Sequence, residues 1–384
     1  MDVMNATKKK LGSDHPNTLA SKANLATTYM NQERWDEVEK LQMDIFNARK
    51  AKLGSDHPDT LTSMANLAKA YGNQGKWDEA ERLQTDVLNA GKAKLGSDHP
   101  FTLISMSNLA LIYSTQERWN EVEKLQMEIL NAKTDKLGSD HPGTLTSMAN
   151  LSLTYRNQGR WDEAEKLEKD VMNGRNTKLG SDHPDTLTSM ANLALTYRSQ
   201  GRWDEAEKLQ MNVMNRRKTQ LGSDHPNTLT SMATLALTYC NQGRWDDAEK
   251  LQIDVINGRK TQLGLDHPST LISITNLAHI YLKQERWNNA EKLQMDVMKA
   301  RKTMLGSNHP DTLISMANLA STYRNQGRLH EAEELELDVT NAKTVKPESD
   351  HLDATLASII NQSSSNQVLH MDQQDHSQRE IMVN

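Results

Sequence analysis

A 42-residue unit recurs along this chain without a single insertion or deletion. Its clearest mark is a His-Pro pair, at His15-Pro16, His57-Pro58, His99-Pro100, His141-Pro142, His183-Pro184, His225-Pro226, His267-Pro268 and His309-Pro310. A fixed period of about 20 to 50 residues restricts a chain to a solenoid, a propeller or an array, because each unit covers its apolar face only with its neighbours. The 384-residue length alone would suit two or three globular domains. The period overrides that and implies one elongated domain.

The copy from His183 to Asp224 shows what the unit folds into. Pro184 suits a first helical turn, where its missing N–H has no intrahelical partner, and Asp182 and Asp185 favour the positive helix end. From Leu187 the apolar residues fall at Met190, Leu193, Ala194 and Tyr197, one stripe down a helix A of about 16 residues. Ser199-Gln200-Gly201-Arg202 breaks the stripe, and Trp203, Ala206, Leu209, Val213 and Met214 resume it in a new phase as helix B. Asp204, Glu205 and Glu207 open helix B and Arg216, Arg217 and Lys218 close it, the order its dipole prefers; Leu221-Gly222-Ser223 then ends it.

The slots are filled consistently. Leu25, Leu67, Leu109, Leu151, Leu193, Leu235, Leu277 and Leu319 each stand four residues before a tyrosine. A small residue follows each leucine, and another small slot on helix B holds Val38, Ala80, Val122, Ala164, Ala206, Ala248, Ala290 and Ala332. This pattern resembles the tetratricopeptide repeat, whose usual period is about 34 residues; eight more add roughly one turn per helix. With NLA, QGRWDEAEKL and LGSDHP it is similar to the long repeat of kinesin light chains and related fungal proteins. The resemblance covers about 90% of the chain. It implies an all-α fold: an α-solenoid, coiled as a right-handed superhelix, of eight stacked antiparallel helix pairs with partial repeats at its ends.

Residues 1–14 match the second half of a helix B, so the chain opens in mid-repeat, and a fragment of a longer protein is the expectation. Eight repeats occupy 15–347, a degenerate capping helix is expected over 348–362, and the polar Gln/Ser-rich segment 363–384 reads as disordered.

Composition narrows the function. A net charge of −6, with Lys and Arg scattered among carboxylates, carries no nucleic-acid signature. The single Cys240 excludes an internal disulfide framework and fits a reducing, cytoplasmic setting. No apolar run approaches the length of a membrane span. The chain shows no phosphate loop and no nucleophile elbow, and its Glu and His are placed by repetition, so neither enzyme nor cofactor is expected. The recurring histidines, about 10 Å apart if helices pack normally, cannot converge on one metal and read as helix entries. The seven tryptophans, Trp35 to Trp287, read as wedges between helices A and B.

Binding is the remaining class. Asn24, Asn66, Asn108, Asn150, Asn192, Asn276 and Asn318 share one helix A slot, with Thr234 as the exception. The resemblance implies that this slot faces a concave groove, where an amide with donors and an acceptor suits a peptide backbone. Two other helix A slots vary among copies. The one after the tyrosine holds Met30, Gly72, Ser114, Arg156, Arg198, Cys240, Leu282 and Arg324. The one three after the asparagine holds Thr27, Lys69, Leu111, Leu153, Leu195, Leu237, His279 and Ser321. Both are expected on the concave side and exposed. Lys69, Arg156, Arg198 and Arg324 beside Leu153, Leu195 and Leu237 then favour a protein or peptide ligand with acidic and apolar side chains. A cargo or adaptor scaffold like the kinesin light chains is the leading expectation. The alternative is the ligand-sensing arm of a larger fungal-type signalling NTPase.

Overall fold

The structure, a computed structural model, describes residues 2–32 and 34–345. The expected capping helix at 348–362 and the tail at 363–384 lie outside the described residues. The chain divides into two compact units, Met1–Ser189 and Met190–Asn384. The first holds α1 (Asp2–Leu11), α2 (Pro16–Met30), α3 (Trp35–Leu53), α4 (Pro58–Asn73), α5 (Trp77–Leu95), α6 (Pro100–Thr115), α7 (Trp119–Leu137), α8 (Pro142–Asn157) and α9 (Trp161–Leu179). The boundary falls within α10 (Pro184–Ser199). The second holds α11 (Trp203–Leu221), α12 (Pro226–Asn241), α13 (Trp245–Leu263), α14 (Pro268–Lys283), α15 (Trp287–Leu305), α16 (Pro310–Asn325) and α17 (Leu329–Val345). All regular structure among the described residues is helical. Within each unit successive helices pack in antiparallel pairs, A on B and B on the next A, as a solenoid of hairpins.

The repeated histidine starts helix A. In every copy its Nδ1 accepts the backbone N–H two residues on, as from Asn17 to His15 at 3.2 Å and from Asn227 to His225 at 3.2 Å, satisfying one of the donors a helix start leaves open. Each histidine is occupied with its own helix. Helix B ends at a glycine with φ near +90°, such as Gly222 at 91°, where a Cβ would be strained. Between A and B another glycine takes a positive φ, 75° at Gly201; Glu117 and Glu285 occupy the same position at 57° and 58°.

The small slots are where helices touch. Ala206, Ala248, Ala290 and Ala332 are fully buried, as are Ala194, Ala236 and Ala278, and the leucine slot is buried from Leu67 to Leu319. The tryptophans pack between A and B as expected, but only in part. None of the seven is fully buried, and Trp161 is 40% exposed. Trp is the first residue of helix B, at the rim of the hairpin, so one face of the ring packs, as Trp245 does against the Leu235–Tyr239 cluster, while the other meets solvent.

The residue before each tryptophan carries a second layer of contacts. Arg244 lies 4.0 Å from the centroid of the Tyr239 ring, and its guanidinium reaches Glu207 on the preceding helix B at 2.8 Å and Asp247 on its own at 2.8 Å. Arg118 and Arg160 repeat this in the first unit, with Glu81 and Glu123 as the carboxylates across the junction. A glutamine two residues earlier completes the set: Gln242 Nε2 donates to Glu207 and its Oε1 accepts from Arg244.

Two outcomes follow for urea unfolding. Arg244→Ala should cost about 1 to 2 kcal/mol, the sum of a cation–π contact and two partly exposed ion pairs. Glu285→Gly should stabilise by about 1 kcal/mol, since a non-glycine residue in the left-handed region carries a penalty of that order.

Candidate functional site

The asparagine slot runs along one face of the A helices. Asn66, Asn108 and Asn150 are exposed in the first unit, while Asn192, Asn276 and Asn318 are half-buried in the second. Among the described residues the side-chain amides of Asn66, Asn108, Asn150, Asn276 and Asn318 make no hydrogen bond within the protein. Three residues along the helix from these, Lys69 is exposed, Leu111, Leu153, Leu195 and His279 are half-buried, and Leu237 is buried. Ile104, 60% exposed and one turn before Asn108, extends the apolar part of that face in the first unit.

The slot after the tyrosine departs from expectation. It was expected to be exposed; Arg324 is, but Arg156 and Arg198 are not, because the slot faces helix B of the same repeat. An ideal Cβ on Gly72 would stand 3.4 Å from the Trp77 ring. Arg156 keeps only 12% of its side chain exposed and lies 3.7 Å from Glu168 of α9, itself 3% exposed. Arg324 forms a two-pronged pair with Glu336 of α17, at 2.7 and 2.6 Å. Arg198 is buried at 8% exposure. Cys240 is buried too, and burial pushes its thiol up to about 12. The positive charge of Arg156 and Arg324 is therefore matched inside the repeat. Burial pulls Arg156 below the ordinary guanidinium value against the opposing pull of Glu168, whereas the hydrogen bonds to Glu336 raise Arg324.

The residues that sequence reading missed are the partners of this slot. A helix B position holds Gln42, Gln84, Gln126, Glu168, Gln210, Gln252, Gln294 and Glu336. Glutamines there bond the next helix A: Gln210 Oε1 accepts from the Thr238 hydroxyl at 2.6 Å, and Gln84 Nε2 donates to the Ser105 carbonyl at 3.1 Å. Glu replaces Gln in two copies, each with an arginine twelve residues earlier, at Arg156 and Arg324. That paired change was visible in the internal copies.

Among the described residues His279 has the most perturbed imidazole environment. Burial, with Lys283 nearby, lowers it to about 4. Its neutral form is thus favoured in the fold, and the unfolded chain binds the proton first. Stability from this residue is complete above about pH 6.5, falls between about 6.5 and 4, and is lost below. His279→Leu should flatten the pH dependence of the unfolding midpoint in that window while leaving the carboxylate-driven loss at lower pH. For Arg156 the expectation is steep: Arg156→Glu breaks a buried pair and sets two carboxylates together, at a cost of about 3 to 5 kcal/mol. Thermal melts should show the exchanged pair Arg156→Glu/Glu168→Arg recovering much of the loss.

With this geometry in hand, the chain can be set beside known proteins. Tetratricopeptide repeat models match residues 18–93, 73–135, 185–261, 232–303 and 269–344, and a second such model matches 144–185. No curated protein matches the chain. A structure of a candidate kinesin light chain from Podosopora anserina, with nearly identical TPR-like repeats, is 32% identical over 54% of this chain and 99% of its own, with a TM-score of 0.50. Two more distant structures share the fold. A tetratricopeptide repeat protein of Parabacteroides merdae ATCC 43184 is 15% identical, covering 79% of this chain and 98% of that one at a TM-score of 0.54. A STAND signal-transduction ATPase with a tetratricopeptide repeat sensor, from Pyrococcus horikoshii, is 14% identical, covering 93% of this chain and 54% of that one at 0.55. The family models span well over half of the residues, and their repeats coincide with the helical hairpins: the chain belongs to the tetratricopeptide repeat family.

Proposed function

We propose that this protein is a non-catalytic, cytoplasmic interaction scaffold that holds an extended peptide segment of a partner along the exposed face of its A helices, in a cargo or adaptor role like that of the kinesin light chains. The observation that carries this reading is the row of side-chain amides at Asn66, Asn108 and Asn150. They are exposed and free of internal hydrogen bonds among the described residues. An extended peptide presents backbone donors and acceptors at regular intervals, and an amide that can both donate and accept is the side chain that reads them irrespective of sequence. Apolar anchors for ligand side chains are at hand in Ile104, Leu111 and Leu153. The likeness to the Podosopora anserina repeats supports the same reading.

The acidic preference rests on fewer residues than the sequence suggested. Arg156 and Arg324 are held by Glu168 and Glu336, so Lys69, exposed and without an ion pair among the described residues, is the cation best placed to meet a ligand carboxylate. Arg198, buried, contributes to the floor instead of to the surface.

Peptide display against the full chain tests this. Asn66→Ala/Asn108→Ala/Asn150→Ala should weaken selected peptides by at least about tenfold, each lost hydrogen-bonding group being worth about 0.5 to 1.5 kcal/mol. The unfolding midpoint should stay put, because the three side chains are exposed. If the triple variant selects the same peptides at the same affinity, ligands do not use this face.

A further inference from the structure

Away from the A-helix face, one repeat junction in the second unit is built differently from the others. At three other places a polar side chain near the end of helix B reaches back to the loop that precedes its own helix A. Lys94 Nζ donates to the Asp56 carbonyl at 3.1 Å, Lys136 Nζ lies 3.8 Å from the Asp98 carboxylate, and Gln262 donates to the Asp224 carbonyl. These straps bridge consecutive B helices at those three junctions; Lys52 and Lys178 hold the same slot but make no such contact among the described residues. The corresponding pair between α15 and the loop after α13 is Met304 and Asp266. Met304 has no donor, so that strap cannot form.

Two further departures accompany it. Leu265 stands where the other copies of the loop carry Ser13, Ser55, Ser97, Ser139, Ser181, Ser223 and Ser307. Lys299 stands where every other copy has asparagine, from Asn5 to Asn341. All three changed side chains border one cleft of about 640 Å³ between α13 and α15, floored by Leu271 and Ile274 of α14. Leu265 and Met304 are 49% and 50% exposed at its mouth, an arrangement that costs hydration free energy unless something covers them. Its rim also carries Lys260, Asp266 and Asp296, which occupy slots filled by like residues in most other repeats. The charge that is new at this junction is Lys299.

We propose that this cleft is a binding site for a compact apolar acid, its hydrocarbon body lying between Ile253, Ile256, Leu265 and Met304 and its anionic group at Lys299. The cleft's volume of about 640 Å³ lies within the range of small-ligand sites, about 300 to 1,000 Å³. The inference is independent of the peptide reading, because it uses the B helices and not the asparagine face.

The test uses 1-anilinonaphthalene-8-sulfonate, an apolar ring system with one anionic group, titrated by fluorescence into the full chain. Wild type should show one saturable site per molecule. Leu265→Ser/Met304→Lys, which restores the residues of the other copies and supplies a donor for Asp266, should bind about tenfold more weakly, as expected for removing apolar contact of about one buried aliphatic side chain. Lys299→Asn should weaken the probe about two- to fivefold, the range of an exposed ion pair, and should leave the uncharged N-phenyl-1-naphthylamine unaffected. Unchanged affinity in the double variant, with an unaltered melting curve, overturns the site. Should the double variant fail to fold, Leu265→Ser alone decides, because serine is the residue of the other loops. Equal loss of both probes in Lys299→Asn overturns the acidic part of the assignment.

Discussion

No hairpin in this protein can bury its own apolar stripe, and every other feature follows from that. A two-helix unit exposes one flank of helix B until the next helix A covers it, so the contacts that matter most are those made across a junction. The buried alanines of helix B bring the backbones close enough for this. The polar side chains then fix where along the helix the next hairpin sits: Arg217 of α11, for example, bonds the Asn227 carbonyl and the Ser231 hydroxyl of α12 at 3.3 and 3.0 Å. Apolar burial is indifferent to small slides, whereas a guanidinium aimed at one carbonyl and one hydroxyl is not.

Much of the architecture was legible because repetition multiplies weak signals. A single Pro after a histidine is a poor helix marker, but the same pair every 42 residues leaves little choice. The helix starts, the glycine ends and the small-residue slots all came through in this way. The polar interior did not. Thr18, Thr60, Thr102, Thr144, Thr186, Thr228, Thr270 and Thr312 are all sealed from solvent in the first turn of helix A, a place where threonine ordinarily reads as surface. In two of them the hydroxyl finds the carbonyl of the glycine that ends the preceding helix, Gly264 at 2.9 Å and Gly306 at 2.8 Å. Proximity to a neighbour's end decides this, and the unit's own periodicity carries no trace of it.

The candidate site was legible in part for a related reason. Variation among copies was read as exposure, and for Lys69 it coincides with exposure. At Arg156 the variation has another origin, for the residue changes together with the one it touches. Gly91 gives a second example. It replaces the arginine or lysine found in seven of its counterparts (Arg49, Lys133, Arg175, Arg217, Arg259, Arg301 and Lys343), and the Phe101 ring fills the space, 3.4 Å from where a Cβ would be. Internal copies can thus vary by complementary packing as well as by surface drift, and a single sequence separates the two only when both partners are compared.

The Arg–Tyr–Glu clamp has a consequence for how such an array can change length. Its three members recur at the same offsets, as in Glu81, Tyr113 and Arg118 and again in Glu207, Tyr239 and Arg244. As far as this clamp is concerned, excision of one whole period would join surfaces that already match, and gain of a period would do likewise. Arg156 and Glu168 share a repeat and would travel together within a whole one, but Gly91 and Phe101 lie on opposite sides of a junction and would be parted by a break between them. Unequal recombination is therefore tolerated only at breaks that keep such partners together, and not between α5 and α6, between α8 and α9 or between α16 and α17.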